Sequence, residues 1–514
     1  MVSKTHSATL MGIGAQIVNI EVDIGEGLPA FEMVGLLSSE VREARERVKT
    51  ALRNSGFFLP PGRVTVSLSP ADIRKEGSGF DLAIAVGILV SLGLIEEKKI
   101  DNVLFIGELG LDGEIRKVNG VLNMAIAARK NGFKSIVVPK ANVKESCIVE
   151  GIRVITFADI AELIVAFDNE IEYEDEIDIS KLIDEENDEM SDYDFANVYG
   201  QKLAKRAIEI AVSGMHNIML IGAPGCGKSL MARCMASIMP KLSPMEALEI
   251  TGIHSMSGFL NDNEIILKRP FRSPHYTSTV TSLVGGGKNP RPGEISLSHG
   301  GILYLDEFPE FPRKNLETLR QPMEDGKITI SRAYGNFSFP ADFMLVASMN
   351  PCPCGFYPDR SKCKCSDFQI NRYLSKLSGP MYDRIDICIN VENSKIEELE
   401  KHSDRDNSGK EESSKMIRER VERVRKIQQI RFRKENIIFN SQMNSIQVDK
   451  YANVSADAKK LLGMYFEKKK MSVRSYYKII KVARTISDID LKEEVDKESI
   501  AEAIGLRKVE NIIE

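Results

Sequence analysis

Tryptophan is absent from this chain of 514 residues, and its absence carries no information about function. Long apolar runs are also missing, because no stretch approaches the roughly 20 residues that a helix needs to cross a bilayer. The first residues, MVSKTHSATL, lack the apolar core of a signal peptide. We therefore expect no membrane partner and a cytoplasmic location.

A strong positive charge is missing as well. The formal net charge is −5, so no global basic field attracts nucleic acid, and any such binding must use a local patch. Acidic residues dominate the segment 169–194, which predicts a solvated linker between domains, with an acidic interaction tail as the alternative. The charged stretch 401–414 predicts an exposed loop or a disordered insertion.

Cysteine is scarce, and half of the eight cysteines form one motif, C-x-C-x8-C-x-C. Its members are Cys352, Cys354, Cys363 and Cys365. In a reducing compartment, four clustered thiols favour a metal ion over disulfides, and zinc held by four thiolates is the natural occupant. Ordinary reduced cysteines on a loop are the alternative, because C-x-C pairs are tighter than the usual C-x-x-C.

The most informative motif that is present is GAPGCGKS, which matches the phosphate-loop pattern G-x-x-x-x-G-K-[ST]. It comprises Gly222, Ala223, Pro224, Gly225, Cys226, Gly227, Lys228 and Ser229. The glycines let backbone N–H groups converge on phosphate oxygens, where a β-carbon would clash. We expect Lys228 to reach the β- and γ-phosphates and Ser229 to hold magnesium.

Two further apolar strands end in polar residues that suit the same site. The run ILYL is followed by Asp306, expected to hold magnesium, and by Glu307, expected to polarise the attacking water. The run FMLVAS ends at Asn350, which can contact the γ-phosphate or that water. Parallel buried strands that meet at their carboxyl ends predict a doubly wound α/β sheet with its ligand at that edge. The sequence thus predicts hydrolysis of a nucleoside triphosphate.

The chain length predicts about three domains. Residues 1–168 alternate strand-like and helix-like runs, which indicates mixed α/β structure. We place the nucleotide-binding core at 195–393, a charged insertion with a basic helix at 394–449, and a C-terminal helical lid at 450–514.

With these motifs in hand, the chain resembles the Mg-chelatase-like AAA+ ATPases of the ComM/YifB type over nearly its whole length. Besides the phosphate loop, the resemblance is carried by DFANVYGQKLAKRA, RPFRSPHYT, VGGGKNPRPGEISLSHGGILYLDEFPEF, SMNPCPCG, LSGPMYDRIDI and MSVRSYYKIIKVARTISDI. It implies an α/β AAA+ P-loop NTPase core with a helical lid, and ATP and magnesium as cofactors. Tyr199, Gly200 and Gln201 match the segment that lies against the adenine base.

The resemblance also gives roles to two arginines. Arg384 matches the arginine finger, which reaches the γ-phosphate of a neighbouring subunit, and Arg474 matches the lid arginine known as sensor 2. A finger supplied in trans requires adjacent subunits, so a homo-hexameric ring is implied. The alternatives are a surface Arg384 paired with Asp383 or Asp386, and a helix-capping or surface cation at Arg474.

ComM-type relatives act in natural transformation as ring helicases that promote branch migration, so the resemblance implies movement of branched or single-stranded DNA.

Expected DNA contacts include a hairpin at 327–343, which would point toward the pore, and the basic helix 416–434. For the helix, the alternative is a solvated face with pairs such as Glu419 and Arg423. The segment between Glu249 and Gly300 adds candidate contacts to the phosphate backbone, and the alternative is that this segment only packs subunits together. The candidates are Lys268, Arg269, Arg272, Lys288, Arg291, His275 and Tyr276. Remodelling of a protein or cofactor complex, as by the chelatase motor subunit, is the alternative function.

The N-terminal domain resembles the Lon-protease-like fold. KEGSGFD and NGVLNM align with the Lon landmarks KDGPSAG and GGLKEK, so the nucleophile position holds Gly79 and the catalytic lysine position holds Leu122. Ser78 is one place off and lacks a base. We therefore expect a catalytically dead α/β domain that binds DNA or a partner, or stabilises the ring.

Overall fold

A computed structural model describes residues 2–169, 171–188, 193–262, 264–332, 335–392 and 411–507. Most of the charged stretch 401–414, and the Tyr334 turn of the expected hairpin, lie outside the described residues. Among the helices that are described, none is long and apolar enough to span a membrane.

The N-terminal part is built on a mixed sheet. Its strands are β1 (Ser3–Met11), β2 (Gly14–Gly25), β3 (Ala30–Val34), β4 (Arg63–Ser69) and β5 (Val103–Phe105), with a small antiparallel pair, β6 (Glu108–Leu109) and β7 (Ile115–Arg116), and then β8 (Ser135–Pro139) and β9 (Arg153–Phe157). The order across the sheet is β3-β4-β2-β1-β5-β8-β9, where β1 and β2 form an antiparallel hairpin and β5, β8 and β9 run parallel.

Six described helices belong to this part, and the apolar face of α1 is buried because its apolar residues recur every three or four positions. They are α1 (Ser39–Asn54), α2 (Asp81–Ser91), α3 (Val121–Lys130), α4 (Val143–Cys147), α5 (Ile160–Asp168) and α6 (Ile179–Asp188). Helix α1 begins where the side chain of Ser38 accepts a hydrogen bond from the backbone of Val41. Helix α2, apolar almost all round, is buried along most of its length.

The acidic segment is not solvated throughout, in contrast to the linker prediction. Helix α6 lies within it, and Ile179 and Ile183, four residues apart on one face, are buried in a cluster that includes Leu242 and Ala247. The carboxylate of Asp184 pairs with Lys241 at 2.9 Å. Part of the acidic segment therefore packs against the nucleotide-binding core.

That core contains a parallel sheet, as the strand-end argument predicts. Its strands are β10 (Ile218–Gly222), β11 (Phe271–Arg272), β14 (Ile302–Leu305), β17 (Met344–Met349) and β18 (Ile387–Val391), in the order β11-β14-β17-β10-β18. Two antiparallel pairs stand apart, β12 (Gly285–Gly286) with β13 (Arg291–Pro292) and β15 (Lys327–Arg332) with β16 (Gly335–Pro340). The second pair is the expected hairpin.

The helices of the core surround this sheet. They are α7 (Lys202–Gly214), α8 (Lys228–Ile238), α9 (Pro244–Ser257), α10 (Val280–Val284), α11 (Glu294–Leu297), α12 (Arg313–Thr318), α13 (Pro322–Asp325), α14 (Asp367–Leu374) and α15 (Gly379–Tyr382). Single 3₁₀ turns lie at Glu97–Lys99, Lys140–Asn142, Phe195–Asn197, Phe308–Glu310 and Asn440–Gln442.

The C-terminal part is helical and packs back onto the core. Its helices are α16 (Ser414–Arg431), α17 (Ser445–Tyr451), α18 (Ala456–Lys469), α19 (Val473–Ile489) and α20 (Lys497–Gly505). Buried polar contacts join the two parts. His216 Nε2 lies 2.8 Å from the Thr485 hydroxyl, and Gln428 Nε2 donates to the Ser213 carbonyl at 2.8 Å.

The N-terminal part is fixed to the core through α9. Ser255 on α9 donates to Glu145 Oε2 at 2.5 Å and accepts from the backbone of Gly120 at 2.9 Å. Gly252 is close enough to Asn123 that a β-carbon on it would lie 2.7 Å from the amide oxygen. The N-terminal domain thus rests on the helix that follows the phosphate-loop helix.

Candidate nucleotide-binding site

The phosphate loop joins the end of β10 to the start of α8. Gly225 and Gly227 have φ of +80° and +89°, a left-handed conformation that favours glycine. A β-carbon on Gly222 would lie 2.4 Å from the Val391 carbonyl oxygen on β18. The loop therefore needs its glycines for backbone conformation and for close packing, and its N–H groups lie at a helix N-terminus that favours anions.

Lys228 and Asn350 are brought together at this edge, as the sequence predicts. Lys228 Nζ donates to the carbonyl oxygens of Gly222 and Ala223 at 2.7 and 2.9 Å, and to Asn350 Oδ1 at 3.2 Å. The ammonium group is thus held inside the loop by neutral acceptors. A phosphate oxygen is a stronger acceptor for this cation because it carries charge.

Ser229 and Asp306 also meet, since Ser229 Oγ donates to Asp306 Oδ2 at 3.1 Å. A hydroxyl and a carboxylate are oxygen ligands of the kind that Mg²⁺ prefers, so this pair fits the predicted magnesium site. Glu307 follows with an exposed side chain and φ of +52°, and its backbone N–H donates to Asp306 Oδ1 at 3.0 Å. This left-handed backbone lies two residues beyond the end of β14, directly after Asp306.

Two residues that the motif analysis missed support Asp306. The Tyr304 hydroxyl donates to Ser229 Oγ at 3.2 Å and lies 3.0 Å from Ser348 Oγ, which in turn donates to Asp306. Burial raises the pKa of Tyr304 to about 12, so its hydroxyl remains a hydrogen-bond donor at neutral pH. Both residues precede a predicted site residue by two positions, and residues two apart share a strand face. The period of two along a strand could therefore have indicated Tyr304 and Ser348 from the sequence.

The segment expected beside the adenine lies just before α7. Gly200 N donates to Glu411 Oε1 at 2.8 Å, and the side chain of Gln201 donates to the Glu392 carbonyl. Gly200 and Gln201 both have left-handed backbones, with φ of +65° and +52°. Tyr199 precedes this turn, and the adenine contact of the segment stays a prediction.

The two arginines given roles by the resemblance share one carboxylate oxygen. Arg384 donates to Glu324 Oε1 at 2.7 Å, and Arg474 donates to the same atom. The Arg384 side chain is 12% exposed and that of Arg474 is 48% exposed. Asp386, an alternative partner of Arg384, instead pairs with Lys478 at 2.7 Å. The motif analysis gave no signal for Glu324.

The four motif cysteines converge. The sulfur of Cys352 lies 3.4 Å from that of Cys354 and 3.7 Å from that of Cys363, and all four sulfurs are within 4.8 Å of one another. Four thiolates around zinc, with Zn–S distances of about 2.3 Å, have sulfurs about 3.8 Å apart in a tetrahedron. The cluster therefore fits a zinc ion.

Several predicted DNA contacts prove to be internal ion pairs. Those in the segment between Glu249 and Gly300 are Arg269 with Glu246, Arg272 with Glu294, and Lys268 with Glu186. The Arg269 side chain is only 4% exposed and also donates to the Gly300 carbonyl at 2.7 Å. For Arg269 the DNA prediction is wrong, because this guanidinium is buried within its own chain.

Lys288 and Arg291 remain exposed near the hairpin. Arg291 and Phe337 of β16 border a cleft of about 440 Å³, which reaches Ser78 of the N-terminal domain. His275 and Tyr276 are exposed and stack with ring centroids 4.2 Å apart. These residues stay candidates for nucleic-acid contact.

The basic helix, α16, also spends much of its charge internally. Arg420 pairs with both Glu209 and Glu412, at 2.6 and 2.9 Å. Arg425 is buried, with its guanidinium 4.0 Å from the ring centroid of Phe439. The same helix therefore joins the lid to the core, which leaves less charge for DNA than its sequence indicates.

The positions that the sequence predicts to correspond to the Lon nucleophile and lysine hold no catalytic pair. Gly79 and Leu122 are both buried, and the Ser78 hydroxyl donates to the Glu108 carboxylate. The group beside the Ser78 hydroxyl is therefore a carboxylate, and not the lysine that would activate a serine as a protease nucleophile.

A phosphate loop at the carboxyl edge of a parallel sheet defines a domain of the Mg-chelatase/AAA+ type. Residues 194–399 match the family described as magnesium chelatase, subunit ChlI. Residues 20–142 match the family described as subunit ChlI of Mg-chelatase, and 411–507 match the ChlI C-terminal family.

Individual relatives extend this result to the whole chain. Competence protein ComM of Haemophilus influenzae is 37% identical over 521 residues, which cover 99% of this chain and 98% of the relative. The uncharacterized protein YifB of Escherichia coli is 37% identical with the same coverage. A magnesium-chelatase 67 kDa subunit of Chlorobaculum parvum is 24% identical over 30% of this chain and 23% of the relative. The chain belongs to the Mg-chelatase-like ComM/YifB family.

Proposed function

We propose that this chain is an ATP-hydrolysing ring motor that acts on DNA and promotes strand movement, such as branch migration, in recombination or natural transformation. The observation that supports this most is the convergence of Lys228, Asn350, Ser229 and Asp306 at one edge of the parallel sheet. The nearly full-length similarity to a competence protein supports the choice of DNA as the partner.

In this proposal the phosphates of ATP take over the Lys228 ammonium from the loop carbonyls that hold it. Ser229 and Asp306 hold the Mg²⁺ ion, which supplies charge neutralisation for the phosphates when bound. Glu307, whose exposed side chain follows Asp306 in the chain, orients the attacking water and accepts its proton. Asn350 positions the γ-phosphate or the water.

The reaction is completed by a neighbouring subunit in a homo-hexameric ring. Arg384 acts as the arginine finger, and Arg474 is the sensor-2 arginine of the lid. In the single chain both guanidinium groups bind the Glu324 carboxylate, so the two arginines lie close together, and a γ-phosphate would have to replace that carboxylate as their partner. Such a finger is worth about three to five orders of magnitude in GTPases, so a monomer should hydrolyse ATP very slowly.

DNA contacts are assigned to the exposed part of the hairpin and to Lys288 and Arg291. Arg332 on the hairpin donates to the Gly287 carbonyl at 3.2 Å, so the hairpin and the segment with Lys288 are linked. Binding through such side chains neutralises phosphates and weakens as salt rises. We assign the N-terminal domain a Lon-protease-like fold without proteolytic activity. Because this domain rests on α9 of the core, we propose that it stabilises the ring or binds a partner.

The second candidate is remodelling of a protein or cofactor complex, and the similarity to a chelatase 67 kDa subunit favours it.

We also propose that the four cysteines hold a structural zinc ion. Metal analysis of purified protein tests this, since less than about 0.2 equivalents of zinc would remove the assignment.

The two functions are separated by ATPase rates measured with and without four-way DNA at several salt concentrations. Stimulation by DNA in the native chain, lost in Glu307→Gln, supports the motor. If DNA changes nothing at any salt concentration while ATP is still hydrolysed, the remodelling function is favoured instead.

A further inference from the structure

The cysteine motif begins inside the candidate nucleotide site. Asn350, which accepts a hydrogen bond from Lys228 at 3.2 Å, is separated from Cys352 by one residue. Cys352 and Cys363 are buried in the same hydrophobic cluster as the β17 residue Met349. The loop that would hold zinc is therefore continuous with the strand that carries Asn350.

The same loop touches the phosphate loop directly. A β-carbon on Gly355 would lie 2.4 Å from Cδ and 2.8 Å from Cγ of Pro224. Gly355 also has φ of +85°, a conformation that favours glycine. Its backbone therefore fits against the Pro224 ring at a distance that no side chain permits.

The turn that carries Gly355 is tied to the sulfur cluster. Gly355 N donates to the Cys352 carbonyl at 3.0 Å, and Tyr357 N donates to Cys352 Sγ at 3.4 Å. Cys354, immediately before Gly355, has its sulfur 3.5 Å from that of Cys363. A metal ion on these sulfurs would fix the turn, whereas free thiols leave it held by these hydrogen bonds and by packing alone.

We infer that metal binding at the four cysteines and nucleotide binding at the phosphate loop are positively coupled through the contact between Gly355 and Pro224. Zinc fixes the turn, and the turn fixes Pro224 in the loop whose N–H groups receive the phosphates. Coupling of this kind is reciprocal, so nucleotide must tighten zinc binding by the same factor. This inference rests on the nucleotide and zinc sites proposed above.

The test uses the full chain and two binding titrations. The first measures the dissociation constant of a fluorescent ADP analogue for protein loaded with zinc and for protein stripped by a chelator and desalted. The second measures zinc affinity against a chromophoric chelator, with and without ADP. We expect zinc to tighten ADP binding about tenfold, and ADP to tighten zinc binding by the same factor.

Two variants locate the coupling. Gly355→Ala introduces the clash with Pro224 and should weaken ADP binding and abolish its response to zinc. Gly132→Ala is the matched control, because Gly132 has nearly the same φ, +83°, and a β-carbon there would have nothing within 4 Å. The control should keep the tenfold response, and Cys354→Ser, which removes a zinc ligand, should lose it.

Equal ADP affinity with and without zinc would overturn the inference while leaving the proposed function intact. A Gly355→Ala variant that keeps the full response would do the same. A purified chain that retains no zinc would overturn both this inference and the zinc assignment, but not the proposed ATP hydrolysis. If neither form binds ADP, the proposed nucleotide site itself fails, and the two failures are thereby distinguished.

Discussion

At the carboxyl edge of the five-stranded sheet, the polar side chains of Lys228, Asp306 and Asn350 converge on one place. In the N-terminal domain, the positions aligned with a protease nucleophile and lysine hold Gly79 and Leu122, both buried. Both regions are layered α/β structures with apolar cores. Packing therefore maintains an architecture, while chemistry depends on a few polar residues that the architecture does not require.

Loss of the candidate arginine finger should affect the nucleotide site most strongly. Arg384→Ala should lower the ATPase turnover of the assembled ring by about three orders of magnitude, because the γ-phosphate loses its charge partner from the neighbouring subunit. Turnover at saturating ATP measures this.

A mixing experiment controls for simple misfolding of that variant. Lys228→Ala has a defective nucleotide site but an intact Arg384, so mixed rings place an intact finger beside an intact site. Activity of the mixture well above the sum of the two variants is expected. Activity that never exceeds the sum would argue against a finger in trans.

A smaller effect is expected from the residues behind the metal ligands. Ser348→Ala removes the hydroxyl that donates to Asp306, so the Mg²⁺ concentration for half-maximal ATPase activity should rise about tenfold. A magnesium titration measures it. Ser375→Ala, at an exposed serine that donates to the Arg372 carbonyl, is the control. An unchanged magnesium requirement in Ser348→Ala would contradict a role for this hydroxyl in metal binding.

The third prediction separates basic residues that hold the fold from those that face DNA. Arg269→Ala removes a buried guanidinium that pairs with the half-buried Glu246, and it leaves the Pro240 and Gly300 carbonyls without this donor. It should lower the free energy of unfolding by about 3 kcal/mol. Arg291→Ala should leave the melting temperature unchanged and lower the salt dependence of DNA binding by about one charge. Thermal denaturation and DNA titrations in salt check both. A salt slope unaltered by Arg291→Ala would remove this residue from the DNA surface.

The smallest effect is expected in the N-terminal domain. Ser78→Ala should change neither ATP hydrolysis nor stability of the ring. The reason is that the Ser78 hydroxyl donates to Glu108, a carboxylate of its own domain. ATPase rates and gel filtration measure this. A large loss of ATPase rate or of ring assembly would show that Ser78 contributes to function.

The nucleotide site was predictable because its residues lie in contiguous motifs whose local geometry follows from glycine placement and strand ends. The role of Arg269 was not, since its partner Glu246 is distant in sequence and charge alone does not reveal burial. The burial of Ile183 was not predictable either, because the acidic composition of its segment hides the single apolar face of the helix. Tyr304 lay within reach of the period-two rule for strands.

The central claim is that ATP hydrolysis at Lys228 and Glu307 moves DNA strands. Its most direct test follows the conversion of a labelled four-way junction into duplex products by the native ring. We expect products with ATP and Mg²⁺, and none with a non-hydrolysable ATP analogue or with Glu307→Gln. Product formation by the Glu307→Gln ring, or none by a native ring that hydrolyses ATP, would contradict it.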